Sequence, residues 1–288
     1  MDDFKIGDIV VRKSYGGDVY FRIMDILYRD GAEVLAILKG IDHRLIADAP
    51  ASDLKKPELK EVNADNMVYS KKINKNIRRI LEERRSDQPA RKGYRADEMF
   101  GKPGRVLHID ADEEYLDTCI KSYKQLNVDV TAKLVDEPEQ PNVIGDLLNE
   151  VKPDILVLTG HDGMIKGQNN YADINSYRSS KYFIEAVKVA RNYESSLDDL
   201  VIFAGACQSF FEAIIEAGAN FASSPHRVLI HALDPVFVCE KIAFTSINKV
   251  LPIQEAISNT ITGIKGVGGL ETRGKYRQGF PKSQFIQQ

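Results

Sequence analysis

The distribution of apolar and polar residues divides the chain into three parts. In residues 1–57, short apolar runs are separated by turns rich in Gly and Asp, which predicts several β-strands. Residues 58–103 are dominated by charged side chains, and apolar residues recur at helical spacing only from 73 to 81, which predicts a short helix in a solvated linker. In residues 104–288, apolar runs alternate with amphipathic segments, which predicts a larger domain of strands and helices.

The third part is typical of an α/β fold with an open, mostly parallel sheet. Predicted strands begin near residues 105, 128, 154, 200 and 228, and the segments between them have helical periodicity. Such crossovers place helices on both faces of the sheet. The first part is typical of a small meander or SH3-like barrel, a module that either binds a partner or braces its neighbour.

Composition and charge exclude several classes of protein. The net charge is −3, and no run reaches about 18 consecutive apolar residues, so we expect neither nucleic acid nor a membrane as partner. Residues 71–95 hold ten Lys or Arg and three Asp or Glu, without the repeated aromatic residues that stack on bases. A nucleic-acid tail is therefore a weaker interpretation of this stretch than a solvated linker.

The cysteines indicate a reducing, intracellular compartment. Three cysteines over 288 residues are too few and too widely spaced for a disulfide framework or a zinc cluster. The N-terminus also lacks the basic and apolar regions of a secretory signal. We expect no cofactor and no metal.

Two reactive side chains follow predicted strands of the third part. His161 comes directly after the strand near residue 154, and Cys207 comes directly after the strand near residue 200. If these strands are neighbours, their axes lie about 4.8 Å apart and the two side chains share one sheet edge. Because the thiolate is the nucleophile, an imidazole that removes the thiol proton would activate Cys207. The backbone N–H groups of Cys207, Asp162 and Gly163 are candidate oxyanion donors.

The other cysteines and histidines have simpler interpretations. Cys119 lies on the apolar stripe of a helix and Cys239 lies in an apolar run, so both are predicted core residues. His108 lies inside a strand and His226 in a polar loop. His231 stays open as an alternative or second base.

The order of these motifs resembles the caspase-like peptidases of clan CD. In those enzymes a hydrophobic strand ends in a His-Gly loop and a later strand ends in Ala-Cys. Here the corresponding runs are Ile155-Leu-Val-Leu-Thr-Gly-His-Asp-Gly and Val201-Ile-Phe-Ala-Gly-Ala-Cys-Gln, with His-Asp-Gly in place of His-Gly. Nearly the whole chain resembles the YabG family of sporulation-specific proteases, through Gly7-Asp-Ile-Val-Val-Arg-Lys-Ser-Tyr, Thr159-Gly-His-Asp, Phe203-Ala-Gly-Ala-Cys-Gln-Ser, Ala217-Gly-Ala-Asn-Phe-Ala-Ser-Ser-Pro, Ile230-His-Ala-Leu-Asp-Pro and Gly269-Leu-Glu-Thr-Arg-Gly.

This resemblance implies a cysteine endopeptidase that acts on spore coat or other sporulation proteins, in the mother-cell cytoplasm or on the spore. It also implies a charged group near the end of the first strand of the sheet that selects the residue before the cleaved bond. Asp110 is the first candidate, Asp112 competes with a helix-capping role, and Asp234 and Asp162 are further candidates. We therefore expect cleavage after Arg, less often Lys, and self-cleavage between residues 71 and 95.

Other functions remain to be weighed against a peptidase. In a class I amidotransferase the His follows the Cys with a Glu near it, whereas here His161 precedes Cys207 and no His-x-Glu appears downstream. A receiver-like signalling domain would explain Asp110 and Asp112 but not the pair of His161 and Cys207. A non-enzymatic coat or scaffold protein stays open, as does the choice between a monomer and a homo-oligomer.

Overall fold

The computed structural model of this chain describes residues 4–28, 33–86, 98–283 and 285. Its N-terminal part is a five-stranded antiparallel sheet, as the β-rich prediction requires. The spatial order is β4-β3-β2-β1-β5, and the apolar side chains of one face form a small core. The strands are β1 (Ile9–Arg12), β2 (Phe21–Leu27), β3 (Leu35–Gly40), β4 (Ile46–Pro50) and β5 (Leu54–Lys55). The SH3-like assignment stays a prediction.

A single long helix, α1 (Leu59–Ser86), connects this sheet to the rest of the chain. The predicted short helix is part of this longer one, which continues on both sides of residues 73–81. Ile77 and Ile80 are buried in the main core, with Ile73 and Leu81 packed beside them. These contacts hold the helix although most of its other described side chains are charged.

The C-terminal part is built on a six-stranded sheet in the order β13-β11-β10-β9-β7-β8. All neighbouring pairs are parallel except β11 with β13. The strands are β7 (Val106–Asp110), β8 (Val130–Leu134), β9 (Ile155–Thr159), β10 (Val201–Ala204), β11 (Phe221–Ser223) and β13 (Val267–Gly269). This confirms a mostly parallel α/β sheet, and the caspase-like assignment stays a prediction.

Helices cover both faces of this sheet, as predicted. One apolar cluster joins α2 (Glu113–Gln125) and α6 (Asp234–Phe244) to one face, together with α1. A second cluster joins α3 (Gln140–Val151), α4 (Ser180–Tyr193) and α5 (Phe211–Glu216) to the other face. The strands of the sheet centre are buried on both sides, which explains their continuous apolar sequences.

The predicted fifth strand, residues 228–232, is wrong. The fifth parallel strand is β11, a three-residue segment that the sequence signal was too short to reveal. Residues 228–232 instead form an irregular, largely buried segment that contacts the N-terminal sheet through a bridge between His43 and His231. Burial therefore explains the apolar residues of this segment, although the segment is not a strand of the sheet.

The remaining elements are short. Two pairs of antiparallel strands and one helical turn complete the C-terminal part, and one strand of the second pair lies in the predicted linker. They are β12 (Val250–Leu251) with β14 (Thr272–Arg273), β6 (Phe100–Lys102) with β15 (Arg277–Gly279), and α7 (Ile253–Ala256). Among the residues described, no helix combines the length and apolarity needed to cross a membrane.

Candidate active site

The carboxyl ends of three neighbouring strands, β7, β9 and β10, meet at one edge of the large sheet. Strand β9 pairs in parallel with β10, so the prediction that these two strands are neighbours is confirmed. Asp110 is the last residue of β7, His161 follows β9 by two residues and Cys207 follows β10 by three. The connection direction reverses between β7 and β9, which is the position where open α/β sheets bind ligands.

Cys207 lies in a sharp turn and its thiol is covered. The side chain is 0% exposed, and Sγ lies 3.2 Å from the backbone N of Ile230 and 3.7 Å from its O. Burial raises the pKa of Cys207 to about 12, although N–H groups of Ile230 and Arg44 act in the opposite direction. Gln208, the next residue, has φ of +55°, a strained conformation of the kind that clusters at functional sites.

His161 is held between two carboxylates. Its Nε2 lies 3.2 Å from Asp112 Oδ2 and its Nδ1 lies 3.7 Å from Glu137 Oε1. The backbone N–H of His161 also donates to Glu137 Oε1 at 2.6 Å. Burial lowers the pKa of His161, but the two carboxylates outweigh this and raise it above 6.5. Among the described residues, no hydrogen bond joins this imidazole to the Cys207 thiol. The two groups lie at the same edge of the sheet, but the imidazole contacts carboxylates and the thiol contacts the backbone of Ile230.

Asp112 fulfils the helix-capping prediction and has a second role. Its side chain accepts from the backbone N–H groups of Glu114 and Tyr115 at the start of α2. It also pairs with Lys39 of strand β3 at 2.7 Å and with His161. Burial opposes ionisation, yet these partners keep the pKa of Asp112 well below its usual range. Asp112 therefore places a negative charge beside the imidazole, at ion-pair distance from Nε2.

Asp110 is fully buried and already pairs with an arginine. Arg44, from the connection between β3 and β4, places NH1 2.6 Å from Asp110 Oδ2, and both side chains are 0% exposed. Despite its burial, the Arg44 guanidinium holds the pKa of Asp110 below its usual range. His108, Asp110 and Cys119 have ligand atoms within 4.8 Å of one another. Arg44 contacts two of these three groups, so a metal cation there would face a fixed positive charge.

The other predicted acids have structural partners. Asp162 accepts from the N–H groups of Gly163 and Ser179, both at 2.8 Å, and from the hydroxyls of Ser180 and Ser209. Asp162 therefore joins the loop that carries His161 to the turn after Cys207. It also accepts the hydrogen bond of the Gly163 N–H, which was a candidate oxyanion donor. Asp234 is also fully buried and accepts from the backbone of the irregular segment and of residues 261–262.

Four contributors to the site were missed by sequence reasoning. Glu137 and Tyr115 lie in or beside helices, and Lys39 and Arg44 lie in the N-terminal module. Lys39 and Arg44 are nevertheless 7% and 0% exposed, which is rare for charged residues unless they are paired. Nothing in the local sequence pattern distinguishes them from surface residues, because their partners are distant along the chain.

Cavities lie beside the site and between α1 and α6. A cavity of about 440 Å³ adjoins the site and is lined by Met164, Tyr171, Gln208, Glu212 and Arg227, among others. A larger one of about 830 Å³ lies between α1 and α6 and includes none of the site residues described above.

The fold and the site together define an α/β protein whose reactive groups lie at the carboxyl edge of a parallel sheet. The model of the family described as YabG peptidase U57 matches residues 5–281, and the chain belongs to that family. The chain is 45% identical over 284 residues to the sporulation-specific protease YabG of Bacillus subtilis (strain 168), a match that covers 96% of this chain and 98% of that protein. Family membership supports a peptidase role in the context of sporulation.

Similarities to solved structures are weaker. A LuxR-family response regulator from Aurantimonas sp. SI85-9A1 is 21% identical, covers 41% of this chain and 71% of its own, and has a TM-score of 0.25. The receiver domain of the histidine kinase CKI1 from Arabidopsis thaliana is 16% identical, covers 40% and 76%, and has a TM-score of 0.26. At these TM-scores the likeness carries no argument.

Proposed function

We propose that the protein is a cysteine endopeptidase that cleaves proteins after basic residues, Arg before Lys, with Cys207 as nucleophile and His161 as general base. The single observation that carries the proposal is the meeting of these two groups with a buried, arginine-binding carboxylate, Asp110, at one sheet edge. The expected domains are residues 1–57, 58–103 and 104–288, the last with a caspase-like fold.

The proposed reaction has two stages, acylation of Cys207 and hydrolysis of the thioester, and His161 transfers a proton in each. His161 removes the thiol proton of Cys207, and Sγ attacks the carbonyl carbon of the arginyl residue. The N–H groups of Cys207 and Asp162 are the proposed donors to the oxyanion. As the C–N bond breaks, the imidazolium returns the proton to the leaving amine, and a thioester remains. Water, deprotonated by His161, then hydrolyses the thioester and regenerates the thiol.

Asp110 is the proposed acid that recognises the arginine. Arginine and carboxylate groups form strong directional pairs, and Asp110 already makes one with Arg44. Asp112 and Asp234 were candidates for the same role, but their oxygens are used by a helix terminus and by backbone N–H groups. The cavity beside Gln208 offers space for substrate residues beyond the cleaved bond. Spore coat and other sporulation proteins are the proposed substrates.

Sequencing of the termini released from a denatured protein mixture tests this function. Wild type should produce new N-termini that follow Arg, and less often Lys, whereas Cys207→Ala and His161→Ala should produce none. Cys239→Ala, which removes another buried cysteine, is the matched control and should retain cleavage. Cleavage by Cys207→Ala at the wild-type rate would refute the nucleophile, and an acidic or apolar preference would refute the role of Asp110.

Self-cleavage between residues 71 and 95 is tested by intact mass of wild type and Cys207→Ala. Residues 71–86 of this stretch belong to α1, and residues 87–95 lie outside the described part of the chain. Equal processing of both proteins would exclude self-cleavage.

A further inference from the structure

A segment of the N-terminal module, residues 40–45, enters the candidate active site between β7 and the irregular segment 228–232. The backbone N–H of Ala232 donates to Asp42 O at 3.0 Å, and His43 forms an antiparallel bridge with His231. The Tyr115 hydroxyl donates to His43 O at 2.6 Å and contacts Gly40 O. Hydrogen bonds to main-chain atoms therefore join the 40–45 segment to both sides of this cleft.

Arg44 is the residue of this segment that reaches the reactive groups. Its NH1 binds Asp110, and its NH2 lies 3.2 Å from Ala232 O and 3.5 Å from Cys119 Sγ. The Cys207 thiol is hydrogen-bonded to Ile230 of segment 228–232, the segment to which Asp42 and His43 are joined. The side chain of Arg44 thus lies where the substrate arginine is expected, and the 40–45 segment packs on the residues that cover the proposed nucleophile.

The chemistry of Arg44 favours a ligand over a structural brace. Replacing a buried ion pair by apolar side chains is often neutral or stabilising, so packing alone does not require an arginine here. Within the described residues, Arg44 Nε is buried without a hydrogen-bond partner. A substrate arginine that forms more hydrogen bonds at this position than Arg44 does can therefore replace it.

The backbone conformation at Arg44 favours an inhibitor over a substrate. The N–H of Leu45 donates to His43 O at 2.8 Å, which closes a three-residue turn centred on Arg44. The N–H of Gly40 also donates to Leu45 O at 2.8 Å and closes the base of the loop. A bond inside this turn lacks the extended backbone that strand addition gives to a bound peptide.

We propose that the 40–45 segment is an internal pseudosubstrate: Arg44 occupies the arginine subsite, the segment helps to cover Cys207, and the chain cleaves slowly until the module is displaced. This inference rests on the proposed function. Ion pairs hold the module in place, with Lys39 at 2.7 Å from Asp112 and 2.9 Å from Glu114, and Arg22 at 3.0 Å from Glu114. A protein that competes for these contacts, or an arginyl substrate in excess, would open the site.

The first test measures how accessible Cys207 is in the full-length chain. Arg44→Ala should alkylate at Cys207 with iodoacetamide at least about tenfold faster than wild type, and it should gain turnover of an arginyl fluorogenic peptide. Arg12→Ala is the matched control, because Arg12 pairs with Asp53 inside the module, and it should behave as wild type. Folded Arg44→Ala that alkylates at the wild-type rate would overturn the proposal.

A second test avoids leaving Asp110 buried without its partner. Arg22 and Glu114 are both exposed and paired across the interface, so Arg22→Glu and Glu114→Arg should each weaken docking and raise the alkylation rate several-fold. The double variant, Arg22→Glu with Glu114→Arg, restores opposite charges at this pair although position 114 then repels Lys39, so it should react more slowly than Glu114→Arg alone. Single variants that react as wild type, or a double variant as reactive as Glu114→Arg, would contradict docking as the cause.

The two readouts separate failure of the inference from failure of the proposed function. If wild type and Arg44→Ala cleave the arginyl peptide equally, the chain is a peptidase without this inhibition. If Cys207 alkylates faster in Arg44→Ala but no variant cleaves any peptide, the segment covers the thiol and the peptidase proposal fails, and the inhibitory role fails with it.

Discussion

Replacing Glu137 by Gln tests how the site controls the charge of His161. Glu137 accepts the backbone N–H of His161 at 2.6 Å, and its Oε1 lies 3.7 Å from Nδ1 of the ring. Glutamine keeps an oxygen that can accept the backbone N–H but removes the negative charge. Because an anion near an imidazole favours the protonated form, Glu137→Gln should lower the pKa of His161.

The size of the effect follows from the distance and the burial. Two unit charges about 4 Å apart attract with about 4 kcal/mol at an effective dielectric constant of about 20. The side chains of His161 and Glu137 are 10% and 16% exposed, so water reaches both, and Asp112 continues to hold the imidazole. We therefore expect the loss of roughly 1–2 kcal/mol, a fraction of that upper limit.

The pH at which this energy is lost can be derived from the direction of the shift. The folded-state pKa of His161 is raised above its unfolded value of 6.5. Its contribution to stability is therefore fully present below about pH 6.5 and disappears as the pH rises through the folded-state value. Glu137, whose pKa lies below 4.5 despite the opposing effect of burial, stays ionised at pH 5.5.

Urea unfolding at pH 5.5 and pH 9, in a Cys207→Ala background, measures the difference. Glu137→Gln should lose roughly 1–2 kcal/mol more at pH 5.5 than at pH 9, and NMR titration should show a lower pKa for His161. Glu139→Gln, an exposed neighbour in the same turn, is the control. A loss that is equal at both pH values, or an unchanged His161 pKa, would refute the electrostatic argument.

Three further predictions test the surrounding structure. An added Cβ at Gly160 would overlap Glu137 Oε1 and lie 2.9 Å from Ala111 Cβ, whereas one at Gly145 in α3 meets nothing within 4 Å; Gly160→Ala should lower the melting temperature, and Gly145→Ala should stabilise by up to about 1 kcal/mol. Asp162→Ala leaves four donors, three of them buried, without their acceptor and should cost roughly 3–5 kcal/mol in urea unfolding; a cost below about 1 kcal/mol would be incompatible with these hydrogen bonds. Because the pKa of Cys207 is raised to about 12, its alkylation in folded wild type should rise about tenfold per pH unit from about pH 7 to 10, and a plateau near pH 9 would contradict it.

Local patterns predicted the large elements because their periodicity is strong. The strands before His161 and Cys207 are continuous apolar runs, and the helices between them bury one side of each periodic segment. Residues 228–232 were misassigned because an apolar run records burial and does not distinguish a strand from an irregular segment. The three residues of β11 are too few to produce a periodic signal.

The candidate site could be predicted only as far as chain direction and strand order allowed. Cys207 and His161 were found because each directly follows a strand, and the parallel pairing of those strands brings them to one edge. Glu137 lies 24 residues from His161, and Arg44 lies 66 residues from Asp110. The neighbouring sequence does not identify such partners, because any Glu or Arg of the chain carries the same charge.

The sequence by itself determined the α/β class, the β-rich N-terminal part and the positions of Cys207 and His161 after their strands, since these depend on interactions between residues close along the chain. The tertiary structure decided what those groups face: two carboxylates around His161, a covered thiol at Cys207, and an arginine of the N-terminal module on Asp110. The physical reason is that charge state and accessibility are set by burial and by partners across space, and only the packed chain brings these together.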